Sequence, residues 1–267
     1  DEDALDACLA ALDAGTPAGT RVWLADDAQA GPRAGAIIER WLANTHLQAA
    51  HTRRAAPIGE AAHIDQALRA CAGADVVVLA GDACPAPGWL ERLAGCAARD
   101  PGIGTATPWC NAGEVAAWPR IAEVAPLPDA PARLARACAS LAGETAHLPA
   151  AVSHAVFLRG DALVRAGGLD GASFRSWQAA LVDLSLRFAG MGWRNVLCAE
   201  AFVARPREGM PADGDMDALA VRWPAWHARL ATFLMDDPLH ALRGRLATAV
   251  ARLQDAPPQA DLFASVP

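Results

Sequence analysis

Ala74-Asp-Val-Val-Val-Leu-Ala-Gly-Asp82-Ala-Cys-Pro-Ala-Pro-Gly-Trp-Leu90 is the stretch that decides the fold. Val76 to Leu79 form an uninterrupted apolar run of the kind buried parallel strands show. The run ends near an acidic residue, Asp82, after which Pro85, Pro87 and Gly88 turn the chain. A helix is expected from Trp89. A lone carboxylate just past the C-terminal end of a buried strand lies where open α/β sheets hold their ligands.

The same alternation extends on both sides. Upstream, helices are expected over 3–12, 34–42 and 61–71, and strands over 21–25 and 47–51. Downstream, a helix over 89–98 precedes a strand over 103–107. This β-α order predicts a mostly parallel sheet with helices on both faces. Residues 115–129 are Pro-rich and read as irregular. Then come a helix over 130–141, a strand over 152–158, a short helix over 161–166 stopped by Gly167-Gly168, a helix over 176–189 and a strand over 195–203. Helical segments over 219–235, broken at Pro224, and over 239–253 form a C-terminal appendage. Two units are expected: an α/β domain over 1–210 and a helical extension over 211–267. A sheet of this type opens with a strand ahead of its first helix, and here the chain starts at the helix. Either that strand is lost from this sequence or another segment supplies it, the 262–266 stretch being one candidate.

Composition sets outer bounds. A chain of 267 residues, 53% hydrophobic and 20% charged, is long enough to bury a large core. A net charge of −7 excludes general nucleic-acid binding, which needs cations to displace phosphate counterions. Lys and Tyr are absent, while Arg and Ala are abundant, the mark of a biased coding composition. Seven cysteines include no C-x-x-C pair, which suits reduced thiols in a cytoplasmic protein. No apolar run approaches the ~20 residues of a membrane span, and no signal peptide is visible.

The Asp82 to Leu90 stretch resembles the metal-binding strand and Pro-Gly-Trp-Leu turn of family 2 glycosyltransferases, which have the GT-A fold. Val22-Trp-Leu-Ala-Asp26-Asp27 resembles that family's second strand, whose Asp meets the nucleotide base; an Asp pair also serves as a turn former and helix cap. Gly59 to Leu68 is similar to the helix beneath the nucleotide, with Asp65 in place of Asn; it equally reads as an ordinary amphipathic helix, with His63 on its surface or half buried. Gly102 to Pro108 resembles the next strand. Gly167-Gly168-Leu-Asp170 is similar to the acceptor-side turn. Ser176 to Val203, with Asp183, Leu184, Arg187 and Gly192-Trp193, resembles the helix and strand that follow.

The resemblance implies a nucleotide-diphosphate sugar as donor and a saccharide or lipid-linked acceptor. It also implies a divalent cation, Mn²⁺ or Mg²⁺, held at Asp82. Asp26, Asp65 and Asp82 are then the nucleotide-binding candidates, and Trp89, Asp170 and Trp177 lie on the acceptor side. The reaction would be inverting transfer of a hexose in surface polysaccharide synthesis. The Trp223, Trp226 and Phe233 stripe would either stack on an acceptor sugar or pack a helix.

Three chemical positions depart from the family pattern. Ala80 stands where the first polar residue of the metal motif belongs. Ala180 and Leu181 occupy the acidic pair that supplies the general base. Arg205 lies near the place of a histidine that helps hold the metal. Asp183 is the remaining catalytic candidate, although an i,i+4 pair with Arg187 explains it equally well. Two functional readings therefore stand: an active glycosyltransferase, or a pseudo-glycosyltransferase that binds or scaffolds without turnover. An unrelated dinucleotide binder is disfavoured because no G-x-G-x-x-G follows a strand.

Overall fold

A computed structural model describes residues 2–71 and 73–255. The elements follow in the order α1 (Glu2–Gly15), β1 (Arg21–Asp26), α2 (Pro32–Asn44), β2 (Gln48–Arg53), α3 (Glu60–Ala70), β3 (Val76–Leu79), β4 (Cys84–Pro85) and α4 (Trp89–Arg99). Then come β5 (Ile103–Trp109), α5 (Pro131–Ala139), β6 (Thr145–His147), β7 (Ala155–Leu158), α6 (Gly160–Ala166) and α7 (Trp177–Gly190). The chain continues through β8 (Arg194–Ala204), α8 (Asp215–Arg222), α9 (Trp226–Asp236) and α10 (His240–Asp255). Each expected helix forms, and Pro224 separates α8 from α9. The possible strand over 262–266 lies outside the described residues.

The larger sheet has the order β3-β7-β5-β8-β4, with β6 also paired to β8. β5 and β8 run parallel, while β3 and β5 are each antiparallel to β7. The strands β3, β5 and β8 therefore point the same way. The short strands β4 and β6 run against β8, as β7 runs against β3 and β5. β1 and β2 form a separate parallel pair. Among the described residues, β1 pairs only with β2, and β3 only with β7.

Alternation along the strands builds a core on each face. Val76 and Val78 of β3, with Val156 and Leu158 of β7, pack into the cluster under α3, α6 and α7. Val77 and Leu79, with Ala155 and Phe157, pack into the cluster under α1, α2 and α4. Every residue of β5 is buried, as expected for a strand enclosed by neighbours and helices on both sides. Helix α4 is preceded by Gly88, whose φ of +78° is the left-handed conformation that glycine adopts freely. Its Trp89, Leu93, Cys96 and Ala97 recur at helical spacing and face the core. The appendage is not detached. Leu219 and Trp226 join the first core, and Leu239, Leu242 and Leu246 join a third around α5 and the end of β8.

Candidate functional site

Because β3, β5 and β8 point the same way, the loops leaving their C-terminal ends converge. Asp82 follows β3, Glu114 follows β5, and Arg205, Arg207 and Glu208 follow β8. Ser153 and His154 precede the antiparallel β7 and so enter at the same edge. Helix α7 adds its first turn: Trp177 Nε1 donates to the Ser153 carbonyl at 3.1 Å, and Gln178 Nε2 donates to Glu114 Oε1 at 2.7 Å. This helix is capped by Ser176, whose hydroxyl accepts from Ala179 N at 3.3 Å.

Asp82 is buried, and arginines neutralise it. Arg205 Nε donates to Asp82 Oδ1 at 2.6 Å, and Arg207 Nε lies 3.2 Å from Oδ2. Arg205 is itself mostly enclosed, whereas the Arg207 side chain is 62% exposed and remains available to a ligand. Asn111, in the loop after β5, fixes Arg205 through the backbone: Oδ1 accepts from Arg205 N and Nδ2 donates to Arg205 O.

A carboxylate already held by guanidinium groups does not fit a divalent-cation site. Ala80 offers no oxygen side chain, and among the described residues no group of three or more His, Cys, Asp or Glu side chains could hold a metal. A cation at Asp82 would first have to open the Arg205 pair. The guanidinium of Arg205 supplies positive charge at this carboxylate, at the position where the family resemblance puts a metal ligand.

Beside this pair lies a cavity of about 300 Å³, lined by Glu114, Gln178, Glu208 and Gly209 and walled by Leu230 and Leu234 of α9. Glu114 sits in a tight loop at φ +50°, an uncommon conformation for a residue with a Cβ. The loop is closed by Ala116 N donating to Gly113 O at 2.7 Å and Trp118 N donating to Cys110 O at 2.8 Å. Burial, and then the negative charge of Glu208, push the Glu114 carboxyl up to about 7; Gln178 and Arg205 oppose them. Gly209 is required by close approach, since a Cβ there would come within 2.4 Å of Ser153 Oγ. Glu114 borders an irregular stretch and no apolar run marks it in the sequence, yet it follows a buried strand just as Asp82 does.

The other candidates lie elsewhere. Asp183 is fully buried: Arg187 Nε donates to Oδ2 at 2.9 Å, while Trp223 Nε1 and Arg222 Nη1 donate to Oδ1 at 2.9 and 3.2 Å. Asp65 accepts from Leu169 N at 2.7 Å and from Arg69 Nε at 2.6 Å, tying α3 to the turn after α6. Asp170 caps that turn through Ser173 N at 3.0 Å and pairs with Arg222 at 2.8 Å. Asp26 lies 3.2 Å from Arg53 at the end of β1. Its neighbour Asp27 accepts from the N–H groups of Ile58 and Gly59, each at 2.9 Å.

Three of the aromatic candidates, Trp89, Trp177 and Trp226, are buried. Trp89 is buried against α1, with Nε1 donating to Thr16 Oγ1 at 3.2 Å. Trp177 is buried in the first core, and Trp226 packs there as well. Ala180 and Leu181, where the resemblance puts the acidic pair, are buried in that core. No helix among the described residues is long and apolar enough to cross a membrane.

Solved structures share the fold, two of them with TM-scores above 0.5 being glycosyl-transfer proteins by their names. GalNAc-T7, solved with UDP, GalNAc and Mn²⁺, superimposes with a TM-score of 0.57 at 12% identity, covering 90% of this chain. The chain spans about half, 50%, of that protein's length. The mannosyltransferase PcManGT from Pyrobaculum calidifontis, solved with GDP-Man and Mn²⁺, gives a TM-score of 0.56 at 17% identity. There the match covers 97% of this chain and 73% of the mannosyltransferase. No curated protein matches in sequence. The sequence model described as glycosyl transferase family 2 matches residues 1–146, more than half of the 267 residues, from α1 through the loop that carries Glu114 and on into β6. On that match and on its GT-A fold, the chain belongs to glycosyl transferase family 2.

Proposed function

We propose that the chain is an inverting, nucleotide-sugar-dependent glycosyltransferase whose diphosphate is met by Arg205 and Arg207 in place of a divalent cation. The observation that carries this reading is the Arg205–Asp82 pair at the C-terminal edge of β3 and β8. Arg205 uses only Nε on Asp82; among the described residues its two Nη groups make no hydrogen bond, and neither does Arg207. These unengaged, forked donors suit phosphate oxygens. The adjoining cavity of about 300 Å³ has the size for a sugar and the mixed polar and apolar lining that ligand sites show. The transferred unit is a hexose, and the acceptor a hydroxyl of a saccharide or lipid-linked saccharide, as in surface polysaccharide synthesis.

Calorimetric titration with UDP-glucose, UDP-galactose, UDP-N-acetylglucosamine and GDP-mannose, in EDTA and again in Mn²⁺, tests this. Binding of one donor in EDTA, unaffected by Mn²⁺ and weakened in Arg207→Ala, is the expected result. Binding only with Mn²⁺, or none at all, would overturn it.

A second reading has its own observation. Ala180 and Leu181 lie in the apolar core at the positions that normally supply the base, so a domain that binds a donor without turning it over is consistent with α7. Donor binding with no donor hydrolysis would favour it.

A further inference from the structure

We propose that Glu114 is the general base of the transfer, taking the proton from the acceptor hydroxyl in the cavity it shares with Glu208; this rests on the donor-binding reading above. Helix α7 offers no carboxylate to the cavity, its Asp183 being held by Arg187, Arg222 and Trp223, but its Gln178 reaches out to hold one from another element. Gln178 Nε2 fixes Glu114 Oε1 at 2.7 Å, and among the described residues Glu114 Oε2 accepts no hydrogen bond. That oxygen is left for a substrate proton.

The cavity is built for a ligand rich in hydroxyl groups. Glu208 Oε1, Gln178 Oε1 and Ser153 Oγ are buried without a hydrogen-bond partner among the described residues. Ser153 is only 3% exposed, and its Oγ abuts Gly209 in the cavity wall. Buried polar atoms without partners are costly, and a bound saccharide would satisfy those of Glu208 and Gln178, which line the cavity. Leu230 and Leu234 of α9 give the opposing apolar surface. The charged groups facing Glu114 are Glu208 and Arg205, both from the segment after β8. A carboxyl titrating near neutrality exchanges protons at the working pH, as a general base must.

The step balances. The acceptor O–H bond breaks and its proton passes to Glu114. The freed oxygen pair forms the new bond to the anomeric carbon. The bond from that carbon to the diphosphate oxygen breaks, and the electron pair leaves with the nucleoside diphosphate, beside Arg205 and Arg207. Glu114 then returns its proton to solvent.

Donor hydrolysis, with water as acceptor, tests this on the whole chain, using the bound donor from the same four-sugar panel. Glu114→Gln should melt as a folded protein and keep donor affinity while hydrolysis falls by about 10²–10⁴-fold. The unaltered protein's rate should rise with pH through about 7 and level off, and the variant's should lose that limb. Glu208→Gln, removing the like charge, should move the limb to lower pH. A folded, donor-binding Glu114→Gln that hydrolyses at the unaltered rate would overturn the proposal. So would an unaltered protein that binds donor and never turns it over. Absence of donor binding in the unaltered chain would instead remove the reading on which the proposal rests.

Discussion

Asn111 grips both backbone polar groups of Arg205: Oδ1 accepts from Arg205 N and Nδ2 donates to Arg205 O, each at 2.8 Å. The same Nδ2 reaches the Ala125 carbonyl at 2.8 Å. A single buried amide thus joins the loop after β5 to the segment after β8. Asn111→Ala strips partners from three backbone groups and should cost roughly 1–3 kcal/mol of stability, read from urea denaturation. It should also weaken donor binding in EDTA, because Arg205 loses its anchor. A variant with unchanged donor affinity would show that Asn111 does not position Arg205.

The Asp82–Arg205 pair lends itself to a double-mutant cycle. Removing one member of a buried pair strands the other charge and typically costs about 3–5 kcal/mol, whereas replacing both with apolar residues costs far less. Asp82→Leu and Arg205→Met should each lower the denaturation midpoint strongly, with Arg207 offsetting part of the Arg205 loss through its 3.2 Å approach to Asp82. The double variant should be more stable than the sum of the two single losses predicts. Additive losses would mean that the two charges do not interact in solution.

Asp183 offers a contrast. Its oxygens are held by Arg187, Arg222 and Trp223 with no solvent exposure, so Asp183→Ala should destabilise the fold by about 3–5 kcal/mol. Thermal melting reads this directly. A variant that melts normally and loses only turnover would return Asp183 to the chemistry.

Acid sensitivity has a worked sign. Burial lowers the His154 imidazole from 6.5 to about 3, helped by Arg205 and opposed by its Nε2–H donation to the Pro108 carbonyl. Its contribution is therefore present above 6.5 and is lost as pH falls toward 3. Glu114 runs the other way. Its folded value is raised from 4.5 to about 7, so its contribution is present below 4.5 and lost as pH climbs to about 7. Between 4.5 and 6.5 the two slopes oppose, and stability should be nearly flat. Glu114→Gln removes one slope, so its stability should rise by about 2–3 kcal/mol across that window, at ~1.4 kcal/mol per unit. Urea denaturation at half-unit pH steps would show it, and a flat variant would refute it. Further acidification should destabilise both proteins. At Asp27 burial raises the carboxyl and the N–H groups of Ile58 and Gly59 outweigh it, leaving the pKa below the ordinary value.

The fold was legible because its signals are periodic. The apolar run of β3 and the helical spacing of Leu93, Cys96 and Ala97 are local patterns that tertiary packing only reinforces. β4 and β6 escaped because strands of two or three residues carry no period. The direction of β7 escaped too, since alternation is the same for parallel and antiparallel strands. In the site, Asp82 was legible as a carboxylate past a strand. Its partners Arg205 and Arg207 lie more than a hundred residues away, and only the sheet order brings them together. Glu114 obeys the rule that singled out Asp82, but Trp109-Cys-Asn-Ala-Gly-Glu114 lacks the apolar run that made the earlier stretch conspicuous.

A metal ion comes and goes with the medium; the guanidinium of Arg205 is part of the chain. Its charge is therefore present at one per molecule in every environment, beyond the reach of chelators and of competition from other metal-binding proteins. Such a tethered counter-ion also cannot depart with the product. If the Nη groups of Arg205 meet the diphosphate, release of the nucleoside diphosphate must break against a cation that stays behind. Asp82, bonded to Nε on the other edge of the guanidinium, would hold that cation in place from one product to the next.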